Sequence, residues 1–357
     1  MIILATVNTG ADVQVTADLM SDLKITDRAI AGAFDRLITA GYLERRGGRG
    51  APGRGMIGVT RRGRTAYGTI MFTTLVERWT DLPLRQGDII VSCVPKSGTT
   101  WVQMICALLI FQTPDLPAPL KELSIWPEWE LAVRDDVLAR LAAQQHRRFM
   151  KSHEPLSTIP ADPRVTHIVV ARHPLDAALS FYRQRDFNDK REQGHVGRPP
   201  AGEAPSPRQA LLHWMDMESH PPGAAPHSSL PGVLGHVRAA WERRDEPNVV
   251  LVRYEDLSAD LEGQMRGLAV RLGITVPEET WPPLVKAATF EQMRKAADRI
   301  QPIFGLTDPK LFFRTGRPGS GQELLTGTEL AHYHERAARL APPDMLAWLH
   351  APGEPAR

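Results

Sequence analysis

Cysteine and long apolar runs are what this chain has least of. Its 357 residues include two cysteines, Cys93 and Cys106, and both lie inside apolar stretches. A disulfide framework and a cysteine-based metal site are therefore excluded. No apolar run approaches the roughly 20 residues that span a bilayer. The start MIILATVNTGAD also has no basic region of the kind that opens a signal peptide. We expect a soluble protein of a reducing cytoplasm.

A dominant charge is lacking as well. The chain has 43 Lys and Arg against 41 Asp and Glu, which gives a formal net charge of +2. This near balance argues against a protein that binds nucleic acid along its whole surface. The hydrophobic fraction of 42% and the charged fraction of 24% are ordinary for a globular protein and exclude wholesale disorder. The length allows one or two domains with a large core.

Residues 1–67 differ in their sequence pattern from the remainder of the chain. Thr26 can cap a helix that Gly41 would end, and an earlier short helix is predicted over 15–23. Two predicted strands follow, joined by a tip rich in Gly and Arg; they cover 42–46 and 56–59. This order resembles a winged helix-turn-helix, so we predict a small winged-helix-like accessory domain.

The arginines of this segment have two interpretations. They could contact DNA phosphates, or the segment could be a structural cap whose arginines face solvent. DNA binding is not favoured, because the rest of the chain supplies no second basic face and a single small wing binds weakly.

From about residue 70 the pattern becomes α/β. Three short apolar runs, 88–92, 167–171 and 248–252, are typical of buried strands, and each precedes a polar turn and a helical stretch. This rhythm predicts a doubly wound parallel sheet with flanking helices over residues 68–357. A stretch rich in Pro, Gly and His within 185–235 predicts a functional lid or a partly disordered segment.

The turn after the first of these strands carries the most informative string, PKSGTTW at 95–101. A turn that opens a helix offers backbone N–H groups and a positive dipole end to an anion. Gly98 allows close backbone approach, and Lys96 adds a charge. Thr99 and Thr100 add hydroxyl groups. A Walker A loop does not fit, because Gly98 is followed by Thr and the lysine precedes the glycine. The other alternative is a plain strand-to-helix turn.

PKSGTTW is similar to the 5′-phosphosulfate loop of the cytosolic-type sulfotransferases, which use 3′-phosphoadenylyl sulfate (PAPS). The string RHPLDAALS resembles the family's 3′-phosphate site, an Arg followed eight residues later by a Ser, here Arg172 and Ser180. An Arg fork and a hydroxyl at a helix start suit a phosphate dianion. The string KSHEP resembles the family's K-T-H-x-P, so the resemblance implies that His153 is the catalytic base.

Three later strings resemble family segments in the same order. RYEDL contains Tyr254, which by resemblance reaches the nucleotide, and TFEQM contains Phe290, which with Trp101 would sandwich adenine. FFRTG resembles the F-x-R-K-G that closes on the 3′-phosphate, but Thr315 replaces the family's Lys, with Arg317 as the nearby alternative cation. The next family string, G-x-W-K, is altered to GSGQ, and the dimer motif is not kept around Thr326, so the oligomeric state is left open.

The resemblance extends over about residues 70–350. It implies a P-loop-like sulfotransferase fold and transfer of a sulfuryl group from PAPS to a hydroxyl. His153 would take the acceptor proton, Lys96 would neutralise the leaving phosphate oxygen, and Ser180 would steer Lys96. No metal is expected. The donor-binding set implied by the resemblance is Lys96, Ser97, Gly98, Thr99, Thr100, Trp101, Arg172, Ser180, Tyr254, Thr289, Phe290, Phe313, Arg314, Thr315 and Gly316.

The acceptor is less well defined by the sequence. Segments 143–149 and 340–348 resemble bacterial members, in particular glycolipid-type sulfotransferases of actinobacteria. Aromatic residues near the motifs favour an apolar, aromatic or lipid-like acceptor; they are Trp126, Trp129, Phe149, Phe181, Tyr182 and Trp214. The alternative is a DNA-binding regulator with a nucleotide-sensing, inactive sulfotransferase domain. The presence of both Lys96 and His153 favours the enzyme.

Overall fold

The computed structural model describes most of the chain from Trp79 onward and one hairpin before it. The described residues are 43–46, 56–59, 79, 82–128, 134–193, 205–218, 228–300, 313 and 316–354. They belong to two compact units, of which the smaller contains the hairpin.

The hairpin consists of β1 (Leu43–Arg46) and β2 (Met56–Val59), which pair antiparallel with Leu43 opposite Val59. Both predicted strands are therefore present. The helices predicted before them, the Gly/Arg tip and the domain boundary at 67/68 lie outside the described residues. The winged-helix resemblance and DNA binding stay predictions.

A four-stranded parallel sheet organises the larger unit. Its order is β4 (Phe149–Ser152), β3 (Ile89–Ser92), β5 (Thr166–Ala171), β6 (Val249–Arg253). This confirms the predicted parallel sheet and its three apolar strands. The sequence did not predict β4, because its four residues FMKS include a lysine and a serine and do not form an apolar run.

Helices cover both faces of this sheet, as a doubly wound fold requires. Ile89 and Val91 of β3 belong to one apolar cluster, whereas Ile90 between them packs in a different cluster with Trp79. The flanking helices are α1 (Thr99–Phe111), α2 (Leu120–Leu123), α3 (Arg134–Ala143), α4 (Pro174–Gln193), α5 (Pro207–Asp216), α6 (Leu230–Trp241), α7 (Tyr254–Ala259), α8 (Leu261–Leu272), α9 (Trp281–Ala288), α10 (Phe290–Lys295), α11 (Ala297–Ile300), α12 (Gly327–Leu340) and α13 (Pro343–His350). Across the described ranges, no helix combines the length and apolarity that a membrane crossing needs.

The strand order positions the site. Both neighbours of β3 follow it in the chain, one on each side, so the chain direction across the sheet reverses at β3. In open parallel sheets a ligand crevice forms at such a point, outside the carboxyl ends of the strands. The turn after β3 and the residues that follow Ser152, Ala171 and Arg253 all leave the sheet at that edge.

Candidate functional site

The turn between β3 and α1 is shaped to receive an anion. Lys96 and Gly98 have positive φ angles of 70° and 112°. A Cβ added to Gly98 would lie 3.1 Å from Cδ2 of Tyr254, so the turn packs closely against that ring. Gly98 is also the N-cap of α1, and no side chain caps the helix. The first N–H groups of α1 therefore remain available to a bound anion.

Hydroxyl groups surround the same turn. Thr99 Oγ1 lies 2.6 Å from Cys93 Sγ. Ser97 is fully buried, and its Oγ has no hydrogen-bond partner among the described residues. Burial raises the pKa of the Cys93 thiol to about 12, so this thiol remains protonated at neutral pH. A buried hydroxyl with no partner in the protein is costly and is suited to a ligand that supplies one.

Arg172 follows β5 and extends over the turn. Its Nη1 donates to the Lys96 carbonyl at 3.1 Å, and its Cζ lies 4.2 Å from the centre of the Tyr254 ring. The buried Nε has no partner in the described part of the chain. The predicted residues Lys96, Arg172 and Tyr254 therefore meet. Ser180 lies in the second turn of α4, partly exposed, and its steering of Lys96 stays a prediction.

The aromatic residues predicted for adenine, Trp101 and Phe290, lie in the first turns of α1 and α10. Trp101 Nε1 donates to the Ala288 carbonyl at 2.8 Å, which attaches α1 to the end of α9 next to Phe290. Thr289 has a helix-capping role: its hydroxyl donates to Lys286 O at 2.8 Å and accepts from the N–H of Gln292.

The segment that begins at Gly316 is held by two side chains. Tyr254 OH donates to Gly316 O at 2.9 Å. The buried Asp176 carboxylate accepts the N–H groups of Gly319 and Gly321 at 2.7 and 2.6 Å. Phe313 is buried in the core beside α10. Arg314 and Thr315 lie outside the described residues, so their roles stay predictions.

His153 leaves the sheet directly after β4. Its Nδ1 lies 2.7 Å from the Cys93 carbonyl oxygen. A carbonyl oxygen can only accept, so Nδ1 carries a proton and the lone pair of the neutral ring is on Nε2. Because Cys93 begins the turn that contains Lys96, the predicted base and the predicted anion loop are joined by one hydrogen bond.

Lys151 and Glu128 belong to this region but were not predicted. Lys151 is buried, and its Nζ lies 3.7 Å from the centre of the Trp126 ring. Burial lowers the pKa of Lys151 to about 8. Burial also raises the pKa of Glu154 to about 7, and the nearby charge of Glu128 adds to this shift. Lys151 could have been found from its position two residues before His153 in KSHEP, whereas Glu128 has no signal in the sequence near any motif.

The aromatic residues predicted for the acceptor pocket lie in different places in the structure. Trp126 contacts the ring of His153 edge-on, with centroids 5.1 Å apart. Phe149 packs in the core and does not lie beside His153, because it starts β4 at the end of the strand away from His153 and is fully buried. Trp214 is likewise buried in the α4–α6 side of the core. Phe181 and Tyr182 are half-buried on α4, and Trp129 lies outside the described residues.

Comparison with known proteins agrees with this geometry. The family described as "Sulfotransferase domain" matches residues 86–334. A glycolipid sulfotransferase of Mycobacterium bovis is 38% identical over 312 residues, which cover 80% of this chain and 94% of that protein. Sulfotransferase 1A1 of Bos taurus is 29% identical over 227 residues, 61% of this chain and 68% of that protein.

Solved structures show the same fold at lower identity. Retinol dehydratase in a complex with retinol and PAP has a TM-score of 0.57 at 21% identity, covering 75% of this chain and 85% of that one. Mouse sulfotransferase SULT7A1 complexed with PAP has a TM-score of 0.55 at 21% identity, covering 77% of this chain and 92% of that one.

Proposed function

The chain belongs to the sulfotransferase domain family, and from that premise we propose that it transfers a sulfuryl group from PAPS to a hydroxyl of an apolar, glycolipid-like acceptor. One observation carries the proposal. The uncapped start of α1, with Lys96 and Arg172 beside it, lies at the same sheet edge as His153. An anion site and a base at one edge are what transfer of an anionic group requires.

The residues of the anion site fit a nucleotide with two phosphate groups. The turn around Gly98 would hold the 5′ end of PAPS through helix N–H groups and the hydroxyl of Ser97. Arg172 would hold the 3′-phosphate, because its buried Nε lacks a partner among the described residues and a charge-assisted bond to phosphate would satisfy it. The binding of PAP by the two neighbours of like fold supports this choice of donor.

PAPS supplies an activated sulfuryl group, and the chain supplies position and charge. His153 would accept the acceptor hydroxyl proton at Nε2, because Nδ1 is occupied by its bond to the Cys93 carbonyl. Lys96 would stabilise the negative charge that develops on the leaving oxygen. Lys151, a buried cation at this edge, would add to the positive potential there.

Two observations support the acceptor class. Trp126 presents an indole ring beside His153, which suits an apolar acceptor near the reacting hydroxyl. The relative with 38% identity is named a glycolipid sulfotransferase.

The test is product identification. The purified full chain is incubated with PAPS labelled in the sulfuryl group, in parallel with a total lipid extract and with the aqueous fraction of the same cells. We expect label in a lipid product, less label with Lys96→Ala, and strongly reduced label with His153→Ala. Label confined to the aqueous fraction would contradict the acceptor class, and no transfer with either fraction would contradict the reaction.

A further inference from the structure

Glu128 is a buried carboxylate to which nothing above gives a role. It is 3% exposed. Its Oε1 accepts from Trp79 Nε1 at 2.6 Å and from the Ser152 hydroxyl. Its Oε2 accepts from Trp126 Nε1 at 2.9 Å and from the backbone N–H of His153 at 2.9 Å. Four donors from three separate segments of the chain therefore converge on one side chain.

These partners favour the ionised form of the carboxyl group. The two indole N–H groups and the backbone N–H can only donate. The Ser152 oxygen accepts from the Glu154 N–H at 2.9 Å, and its hydroxyl donates to Glu128. A proton on Glu128 would face three groups that can only donate and one hydroxyl that already accepts a hydrogen bond. Burial raises the pKa of Glu128, but the four hydrogen bonds oppose that shift by favouring the ionised form.

Two of the four donors, the His153 backbone N–H and the Trp126 indole N–H, belong to the groups that hold His153 in place. The backbone of His153 is bonded directly to Glu128. Its ring lies against the edge of Trp126, whose N–H is bonded to the same carboxylate oxygen as the His153 N–H. The ring is also held by the bond from Nδ1 to the Cys93 carbonyl. The orientation that leaves the lone pair on Nε2 therefore depends on Glu128 through both backbone and ring.

We infer that ionised Glu128 is the positioning residue of His153: it holds the histidine backbone and the neighbouring indole so that Nδ1 stays bonded to Cys93 and Nε2 is the basic nitrogen. The inference rests on the proposed function, in which His153 is the base. Glu128→Gln keeps the shape but turns one oxygen into an NH₂ group that faces at least one N–H group able only to donate. The expected consequence is a released His153 ring, with the nucleotide site unaffected.

The first test reads the tautomer of His153 without any acceptor. The full chain is labelled with ¹⁵N-histidine and saturated with adenosine 3′,5′-bisphosphate at pH 8, where an ordinary histidine is neutral. The spectrum of His153→Ala lacks the His153 resonance and so identifies it. We expect the wild type to carry its proton on Nδ1 and Glu128→Gln to give a mixture of tautomers. A wild type protonated on Nε2, or a variant with the wild-type tautomer, overturns the inference.

Two further variants separate positioning from general loss of stability. Glu255→Gln is the matched control, because Glu255 is another buried carboxylate that accepts a backbone N–H, that of His173 at 3.0 Å. It should leave the His153 tautomer unchanged. Trp126→Phe removes one donor from Glu128 and keeps a ring, so it carries the test if Glu128→Gln does not fold. It should give a smaller tautomer change in the same direction, and no change would count against the inference.

The second test is a double-mutant cycle on turnover, with the lipid fraction that the wild type labels. Glu128→Gln should lower turnover by a factor on the order of 10 to 10² while the affinity for adenosine 3′,5′-bisphosphate stays the same. In the His153→Ala background it should cost nothing further, because it acts only through His153. An equal loss in both backgrounds overturns the inference. A His153→Ala variant with normal turnover instead contradicts the proposed function, and the tautomer result still stands by itself.

Discussion

The two halves of the proposed site, a nucleotide side and a base side, differ in how much of their hydrogen bonding the protein itself satisfies. On the nucleotide side, Ser97 Oγ and Arg172 Nε are buried without partners among the described residues, and α1 begins without a side-chain cap. On the base side, both oxygens of Glu128 accept two donors each, and Nδ1 of His153 is bonded to a carbonyl.

This difference reflects two roles: one side binds a ligand, and the other holds a base in place. Buried groups without partners cost stability, which a ligand restores when it supplies the missing partners. A base must instead be held in one orientation before the ligand arrives, so its supporting bonds are made within the protein. Mutation of Arg172 should therefore change affinity, and mutations on the base side should change turnover.

The largest expected effect is on the base side. His153→Ala should lower turnover by a factor on the order of 10² or more, the usual contribution of a positioned general base. Affinity for adenosine 3′,5′-bisphosphate, measured by calorimetry, should stay near the wild-type value. If affinity falls as much as turnover, the two halves are not separate in the way described.

On the nucleotide side, Arg172→Ala should weaken the binding of adenosine 3′,5′-bisphosphate by about 30- to 100-fold, the loss expected for charge-assisted bonds to a phosphate. The binding of adenosine 5′-monophosphate, which lacks the 3′-phosphate, should be weakened much less. The measurement is the shift in melting temperature or the Kd for both nucleotides. An equal loss for both would remove Arg172 from the 3′-phosphate site.

Acid should disturb the nucleotide side through buried histidines. Burial lowers the pKa of His173 to about 4 and that of His350 to about 3, and the centroids of their rings lie 4.9 Å apart. The folded chain keeps both neutral where the unfolded chain binds protons. The free energy of unfolding should therefore be unaffected by these groups above about pH 6.5 and fall as the pH drops toward 4, by up to about 1.4 kcal/mol per pH unit for each histidine.

His350→Gln tests this dependence, because Gln still offers an acceptor to the Tyr333 hydroxyl, now 2.9 Å from His350 Nε2. Urea unfolding at pH 7.5 and pH 5 should show a smaller acid loss for the variant than for the wild type. An identical loss in both proteins would assign the acid sensitivity to other groups.

A smaller effect is expected at Asp176. Asp176→Asn replaces one of the two oxygens that accept the Gly319 and Gly321 N–H groups, so the segment from Gly316 loosens. Affinity for adenosine 3′,5′-bisphosphate should fall by about tenfold, near the value of one hydrogen bond. Turnover at saturating nucleotide should be nearly unchanged, and a loss of turnover alone would contradict this assignment.

The smallest effect is expected from the hairpin of β1 and β2. Arg45→Ala combined with Arg46→Ala should leave both nucleotide affinity and turnover unchanged. In gel-shift titrations at low and moderate salt, the full chain should show no salt-dependent retention of DNA. Tight and sequence-selective retention would instead support DNA binding. The slope of the logarithm of affinity against the logarithm of salt concentration would then give the number of phosphates contacted, at about 0.9 per phosphate.

The sequence by itself determined the elements whose information is local. PKSGTTW is contiguous, and the left-handed turn and uncapped helix start that it forms depend on residues within a few positions. The apolar runs determined three of the four strands, because a strand buried on both faces needs an unbroken apolar stretch. The family resemblance of their motifs also pointed to Arg172 and His153, whose roles stay predictions.

Only the tertiary structure decided which distant residues support these motifs. Trp79 and Glu128 are 49 positions apart, and Asp176 and Gly321 are 145 apart. No periodicity or spacing encodes such pairs, because they depend on how helices and strands cross the sheet. The same holds for Phe149, whose position at the far end of β4 follows from the parallel register and not from its nearness to His153 in the chain. A carboxylate such as Glu128 is an ordinary polar residue until folding buries it among four donors.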